Sequence, residues 1–237
     1  MTFPYDRLPV GLAHIQASRL KAVICDLDGL LLDTEAVSWQ TFCAASKAVS
    51  LTPDEVLFAK LTGLSGPAHR PVLSAGLPSD IDAAAFDQDW KQRYHHILAT
   101  NVPAKPDAAQ FLELVRSAGL RLSIATSSRT IKAAANLTRA GFISYFEHIT
   151  GGDQVAQSKP APDIYLRAID RLGLLPDECL VFEDSNNGVR AAKAAGLPVV
   201  QVPDLQMPSE EFSAHGYLCA PNLLAALDIL KIGSGPE

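Results

Sequence analysis

Two carboxylates close a short apolar run in Lys21-Ala-Val-Ile-Cys-Asp-Leu-Asp-Gly29. Placing two like charges beside an apolar strand is costly unless a cation or a proton compensates. A hard cation such as Mg²⁺ prefers oxygen ligands and suits such a pair. Alternation along an extended backbone puts Asp26 and Asp28 on one side. One can then attack while the other handles protons, because close carboxylates separate in pKa. Taken alone, an Asp-x-Asp also fits a structural turn. Thr126-Ser127-Ser128 offers hydroxyls and turn N–H groups of the kind that bind phosphate oxygens; an ordinary helix cap uses the same residue types. Lys159, in a polar loop, carries an ammonium able to neutralise developing negative charge, although an isolated lysine is usually a solvated surface group. Glu183-Asp184-Ser185 adds two acids that can complete a metal site. Asp184 or Ser185 can equally cap the helix expected from Asn187.

The elements around these residues must hold them at one place. Lys21 to Cys25 reads as a buried strand that stops at the carboxylates. From about Glu35 to Leu98 apolar residues recur at helical spacing, as in Trp39, Phe42, Cys43 and Ser46, and in Val56, Leu57 and Leu61. That block is expected to be all helical, with breaks at Gly63–Gly66 and Gly76–Ser79. Strands and helices then alternate. Helices are expected over 107–118, 131–140, 162–172, 187–195 and 222–230, several of them closed by glycine. Strands are expected over 121–125, 148–150, 179–182 and 199–202. Such alternation implies a parallel sheet covered on both faces, and these sheets bind ligands at the carboxyl ends of their strands. Asp26, Thr126 and Asp184 all fall where an expected strand ends. Residues 1–19 form a weakly patterned extension, and 232–237 read as a loose tail.

Composition narrows the possible functions. The 237 residues are 48% apolar and 19% charged, ordinary for a globular chain with a sizeable core. The net charge of −6 argues against a broad nucleic-acid or anionic-membrane surface. It leaves room for a small phosphorylated substrate in a local cationic pocket. Cys25, Cys43, Cys179 and Cys219 form no CxxC pair, so zinc and redox motifs are not supported. Cys25 and Cys179 are expected to be buried small hydrophobes. With neither a signal-peptide pattern nor a long apolar span, a cytoplasmic protein is the expectation, and a monomer is expected at this size.

Taken together, Asp26-Leu-Asp-Gly-Leu-Leu-Leu-Asp33-Thr34, Thr126-Ser127, Lys159-Pro160 and Glu183-Asp184 with Gly188 resemble the four ordered motifs of the haloacid dehalogenase superfamily. The resemblance runs from about Leu20 to Leu230 and is greatest with the branch of β-phosphoglucomutases and small-metabolite phosphatases. It implies an α/β fold: a Rossmann-like parallel sheet of five or six strands with the Asp26 strand central. A small all-helical cap over 35–100 is implied as an insertion into a core made of 20–34 and 101–237, hinged near Thr34–Ala36 and Asn101–Pro106. It further implies that Asp26 attacks phosphorus and becomes an aspartyl phosphate, while Asp28 serves as general acid and then base. Asp26, the Asp28 carbonyl and Asp184 would ligate Mg²⁺, with Glu183 close by. Thr126 and Ser127 would hold the phosphoryl group, and Lys159 would balance charge. Asp28 also distinguishes the chain from true dehalogenases.

Cap loops in this family usually select the substrate. The stretch Gly63–Arg70 is the candidate loop, with His69 and Arg70 as possible substrate contacts. β-Phosphoglucomutases carry a cap histidine where this chain has Ser38, and an arginine that the Gly63–Gly66 run lacks. Arg129 does match a basic position beside their second motif. A phosphatase acting on a small phosphate monoester, a sugar phosphate among the candidates, is therefore expected ahead of a phosphomutase. A catalytically silent binding protein ranks last, since Asp26, Asp28, Lys159 and Asp184 are all present.

Overall fold

The computed structural model describes residues 19–62, 69–205, 207–213 and 217–232. Positions 63–68 of the candidate loop, 1–18 of the extension and 233–237 of the tail lie outside the described residues. The chain divides into two compact units, one of residues up to Leu32 with Ala104 onward, the other of Asp33–Pro103.

The first unit is a six-stranded sheet, one strand at the upper limit of the expectation. Strands β1 (Ala22–Cys25), β2 (Arg121–Thr126), β3 (His148–Gly151), β4 (Cys179–Glu183), β5 (Val199–Gln201) and β6 (Leu218–Cys219) lie in the order β3-β2-β1-β4-β5-β6. All five pairings are parallel. β1 is buried along its whole length, as a central parallel strand covered on both faces should be. Ala22, Ile24, Val181 and Val199 belong to one core with Tyr165, Ala168 and Ile169 of α7 (Asp163–Leu172) and Val189 and Ala192 of α8 (Asn186–Ala194). Phe182, the alternate residue of β4, instead meets Phe111 of α5 (Ala108–Ser117) edge to face at 4.8 Å. Period-two alternation thus sends neighbouring strand residues to two helix layers. α6 (Thr130–Arg139) and α10 (Leu223–Leu230) complete this set. Neither β6 nor the four-residue helix α9 (Glu210–Ser213) was expected from sequence; both are too short to show a period.

β1 pairs with β2 on one side and β4 on the other, and the chain leaves the two neighbours in opposite directions along the sheet. That is the switch point at which open α/β sheets leave a crevice for ligands.

Among the described residues the regular elements of the second unit are helices: α1 (Thr34–Ala48), α2 (Glu55–Leu61), α3 (His69–Gly76) and α4 (Ala83–Thr100). Its core gathers Phe42, Phe58, Leu61, Leu73, Phe86 and Trp90. Phe42 touches Trp90 at 5.1 Å and Phe86 at 5.6 Å between ring centroids, both edge to face. Asp54 and Asp82 cap α2 and α4 by accepting from two backbone N–H groups each. Val56, counted with the apolar pattern, is 65% exposed, one step off the buried face that holds Leu57 and Leu61. His69 and Arg70 do not sit in a loop: they open α3, where Pro71 tolerates a first-turn position because its missing N–H has no intrahelical partner there.

Candidate active site

Three strand ends and the segment before α7 converge at the switch point. Asp26 follows β1 directly and is 6% exposed; its backbone N–H donates to the Phe182 carbonyl of β4 at 2.9 Å. Thr126 ends β2, and Glu183 and Asp184 stand at the end of β4. Lys159 reaches in from the segment before α7. Its Nζ is bonded to Asp26 Oδ1, to Glu183 Oε1 and, at 3.0 Å, to the Ala125 carbonyl. This lysine is not a solvated surface group, because its side chain is 5% exposed. Burial alone would lower the Lys159 pKa, but the Asp26 and Glu183 carboxylates outweigh it and hold the ammonium charged. Burial pushes the Asp26 carboxyl up to about 7, with Lys159 opposing the rise and Glu183 adding to it.

Asp28 is held separately. Its Oδ2 accepts from Ser128 Oγ at 2.7 Å and lies 3.5 Å from Thr126 Oγ1. The second-motif loop therefore orients the carboxylate proposed for proton transfer. Gly29, next in sequence, has φ +91°, and a Cβ there would fall 2.4 Å from Asp184 Oδ2. Only glycine lets the backbone turn so close to that acid. Gly188 serves Glu183 similarly: a Cβ on Gly188 would lie 1.8 Å from the Glu183 carboxyl carbon. Ser185 accepts from the Gly188 N–H and so caps α8, as its residue type allowed.

Carboxylate oxygens of Asp26, Glu183 and Asp184 can all be found within 4.8 Å of one another. Every donor of this cluster is a hard oxygen, so the site fits a divalent cation of the Mg²⁺ type. The two oxygens of Glu183 accept from Lys159, Tyr165, the Ser185 N–H and Ser185 Oγ.

Ser127 is exposed on the same loop, and its carbonyl bars any side chain at Gly152, where a Cβ would lie 2.5 Å away. Arg129 is exposed at the start of α6. His69 and Arg70 belong to the helical unit, and the carboxylates to the first. There the His69 ring packs 5.7 Å from Trp90, with Nδ1 3.7 Å from Asp87, and only Arg70 is exposed. Sequence reasoning passed over two contributors. Ser128 was read with its tripeptide but given no role of its own, and Tyr165 looks like a plain core residue of α7. The available signal for Tyr165 was its hydroxyl, since a buried tyrosine O–H must find a partner. Cys25 and Cys179 are buried as expected, and burial raises both thiols above their ordinary range. Among the described residues no helix is long and apolar enough to cross a membrane.

Comparison with known proteins gives the family. A family model described as haloacid dehalogenase-like hydrolase matches residues 20–196. Protein CbbY from Rhodobacter capsulatus is 40% identical over 220 residues, spanning 87% of this chain and 95% of that protein. A phosphorylated carbohydrates phosphatase from Thermotoga maritima is 32% identical, over 75% of this chain and 82% of its own. Among solved structures, a CbbY mutant from Rhodobacter sphaeroides in complex with xylulose-1,5-bisphosphate superimposes with a TM-score of 0.67 at 27% identity, covering 86% of this chain and 95% of that one. The chain belongs to the haloacid dehalogenase-like hydrolases and, within them, is a phosphoric monoester hydrolase.

Proposed function

We propose that the enzyme is a Mg²⁺-dependent phosphatase of small phosphorylated sugars and works through an aspartyl-phosphate intermediate on Asp26. The observation that carries this reading is the buried contact of Lys159 with Asp26 at the switch point, with Asp28 held nearby by Ser128. Oδ2 of Asp26, the oxygen Lys159 does not hold, attacks phosphorus; the bond from phosphorus to the sugar oxygen breaks, and Asp28 gives that oxygen its proton. Asp28 then takes a proton from water, whose oxygen displaces Asp26 from phosphorus and releases inorganic phosphate. Thr126, Ser127 and the Lys159 ammonium bind the phosphoryl oxygens and stabilise their charge, as this chemistry chiefly requires. Asp26, Asp184 and the Asp28 carbonyl would hold Mg²⁺, which supplies charge neutralisation at the phosphoryl group when bound.

The sugar-phosphate class is supported by the two carbohydrate-directed relatives above. The hydrolase reading is preferred to a phosphomutase because Ser38 supplies no imidazole; its carbonyl accepts from Trp90 Nε1 at 3.0 Å. The test is phosphate release from a panel of sugar monophosphates and bisphosphates with and without Mg²⁺, including β-glucose 1-phosphate with glucose 6-phosphate followed in parallel. Mg²⁺-dependent free phosphate supports the proposal. Isomerised sugar without free phosphate contradicts it in favour of a mutase.

A further inference from the structure

The geometry points to Tyr165 as a positioning residue that sets Lys159 between Asp26 and Glu183. This rests on the hydrolase reading given above. Tyr165 is fully buried in the first turn of α7, six residues after Lys159. It touches the Lys159–Glu183 pair in two ways. The hydroxyl donates to Glu183 Oε1 at 2.5 Å, the same oxygen that accepts from Lys159. The ring face lies 5.1 Å below the Lys159 ammonium, within cation–π range.

The arrangement divides the attraction on one ammonium. Glu183 is fully buried, and a charged carboxylate in that position needs donors on both oxygens. Ser185 satisfies Oε2 through its N–H and its hydroxyl, at 3.2 and 3.1 Å. Oε1 is shared by Tyr165 and Lys159. With the phenol occupying part of Oε1, Glu183 draws less on Lys159, and the ammonium stays on Asp26 and the Ala125 carbonyl. Without the phenol, Oε1 has the lysine alone, and the ammonium shifts toward Glu183 and away from the nucleophile. Tyr165 thereby acts through Lys159 without touching substrate.

Tyr165→Phe removes the hydroxyl and keeps the ring, so packing and the cation–π contact survive. With p-nitrophenyl phosphate as probe, kcat is expected to fall roughly 10-fold, the effect of one lost hydrogen bond to a buried charge. KM should change less than kcat, since Thr126 and Ser127 keep their hold on the phosphoryl group while the ammonium moves. The Mg²⁺ concentration giving half-maximal rate should not move. Calorimetric binding of Mg²⁺–beryllofluoride, a phosphoryl mimic that seats on the nucleophile, should weaken in the variant when measured well below its thermal midpoint. Wild-type kcat and beryllofluoride affinity in Tyr165→Phe would reduce the residue to core packing and overturn the inference. A loss repaired by raising Mg²⁺ would overturn it too, because Glu183 would then serve the metal. Asp26→Asn runs in parallel: if it leaves turnover intact, the hydrolase reading and this inference both fall. If it abolishes turnover while Tyr165→Phe does nothing, only this inference falls.

Discussion

The two units of the chain bury opposite kinds of chemistry. The sheet unit takes carboxylates and an ammonium out of water at the ends of β1 and β4, and holds them by mutual hydrogen bonds. The helical unit buries rings, with Phe42 at the centre of contacts to Trp39, Phe58, Phe86 and Trp90. A buried ion network loses heavily when one partner is removed and gains little as plain stability, so its presence at the switch point argues for function. A ring cluster stabilises by area and packing and says little about chemistry.

The contrast breaks most sharply at the nucleophile. Asp26→Asn should lower phosphate release by on the order of 10³-fold or more, with the denaturation midpoint little changed or raised, because the charge removed is one that burial and Glu183 disfavour and Lys159 keeps Glu183 as its partner. Lys159→Met should damage both properties, because Asp26 and Glu183 are left without their counterion; about 3–5 kcal/mol of stability should go with the activity, read by urea titration and turnover on one preparation. Phe42→Ala is the reciprocal test: it removes a fully buried ring and should cost about 3–5 kcal/mol. Its site residues stay intact, so turnover measured well below the midpoint should outlast the stability loss.

The smallest effect sharpens the comparison at the surface. The Arg121 guanidinium holds the Glu147 carboxyl below its usual range through paired hydrogen bonds. A carboxylate depressed in the folded state adds stability above its unfolded pKa, near 4.3, and loses it as pH falls through the folded value. Both side chains are more than a third exposed, so solvent screening keeps the contribution under about 1 kcal/mol. Wild type and Glu147→Gln should differ slightly at pH 7 and converge in acid, as thermal melts across pH would record.

The sheet unit was largely legible in the sequence because its signals are local. Val23 and Ile24 mark a buried strand, and glycines such as Gly173, at φ +65°, end helices where only a left-handed residue fits. Asp26, Thr126 and Asp184 were visible through residue type and position at strand ends, and Lys159 only through the family motif it completes. Tyr165 was not, because its role depends on Glu183, 18 residues away in the chain and on another element. β6 was missed because two residues carry no period. In the helical unit the pattern gave the type of element but neither the break between α1 and α2 nor the buried faces, so Val56 was misplaced. His69 likewise gave no sign that Trp90 and Asp87 would surround it.

The central claim is that Asp26 becomes phosphorylated, and acid-quench trapping with ³²P-labelled sugar phosphate tests it most directly. During turnover with Mg²⁺ the account predicts a hydroxylamine-labile label on the peptide that contains Asp26, absent from Asp26→Asn. Steady Mg²⁺-dependent phosphate release with no label on that peptide, or with label on another residue, would contradict it.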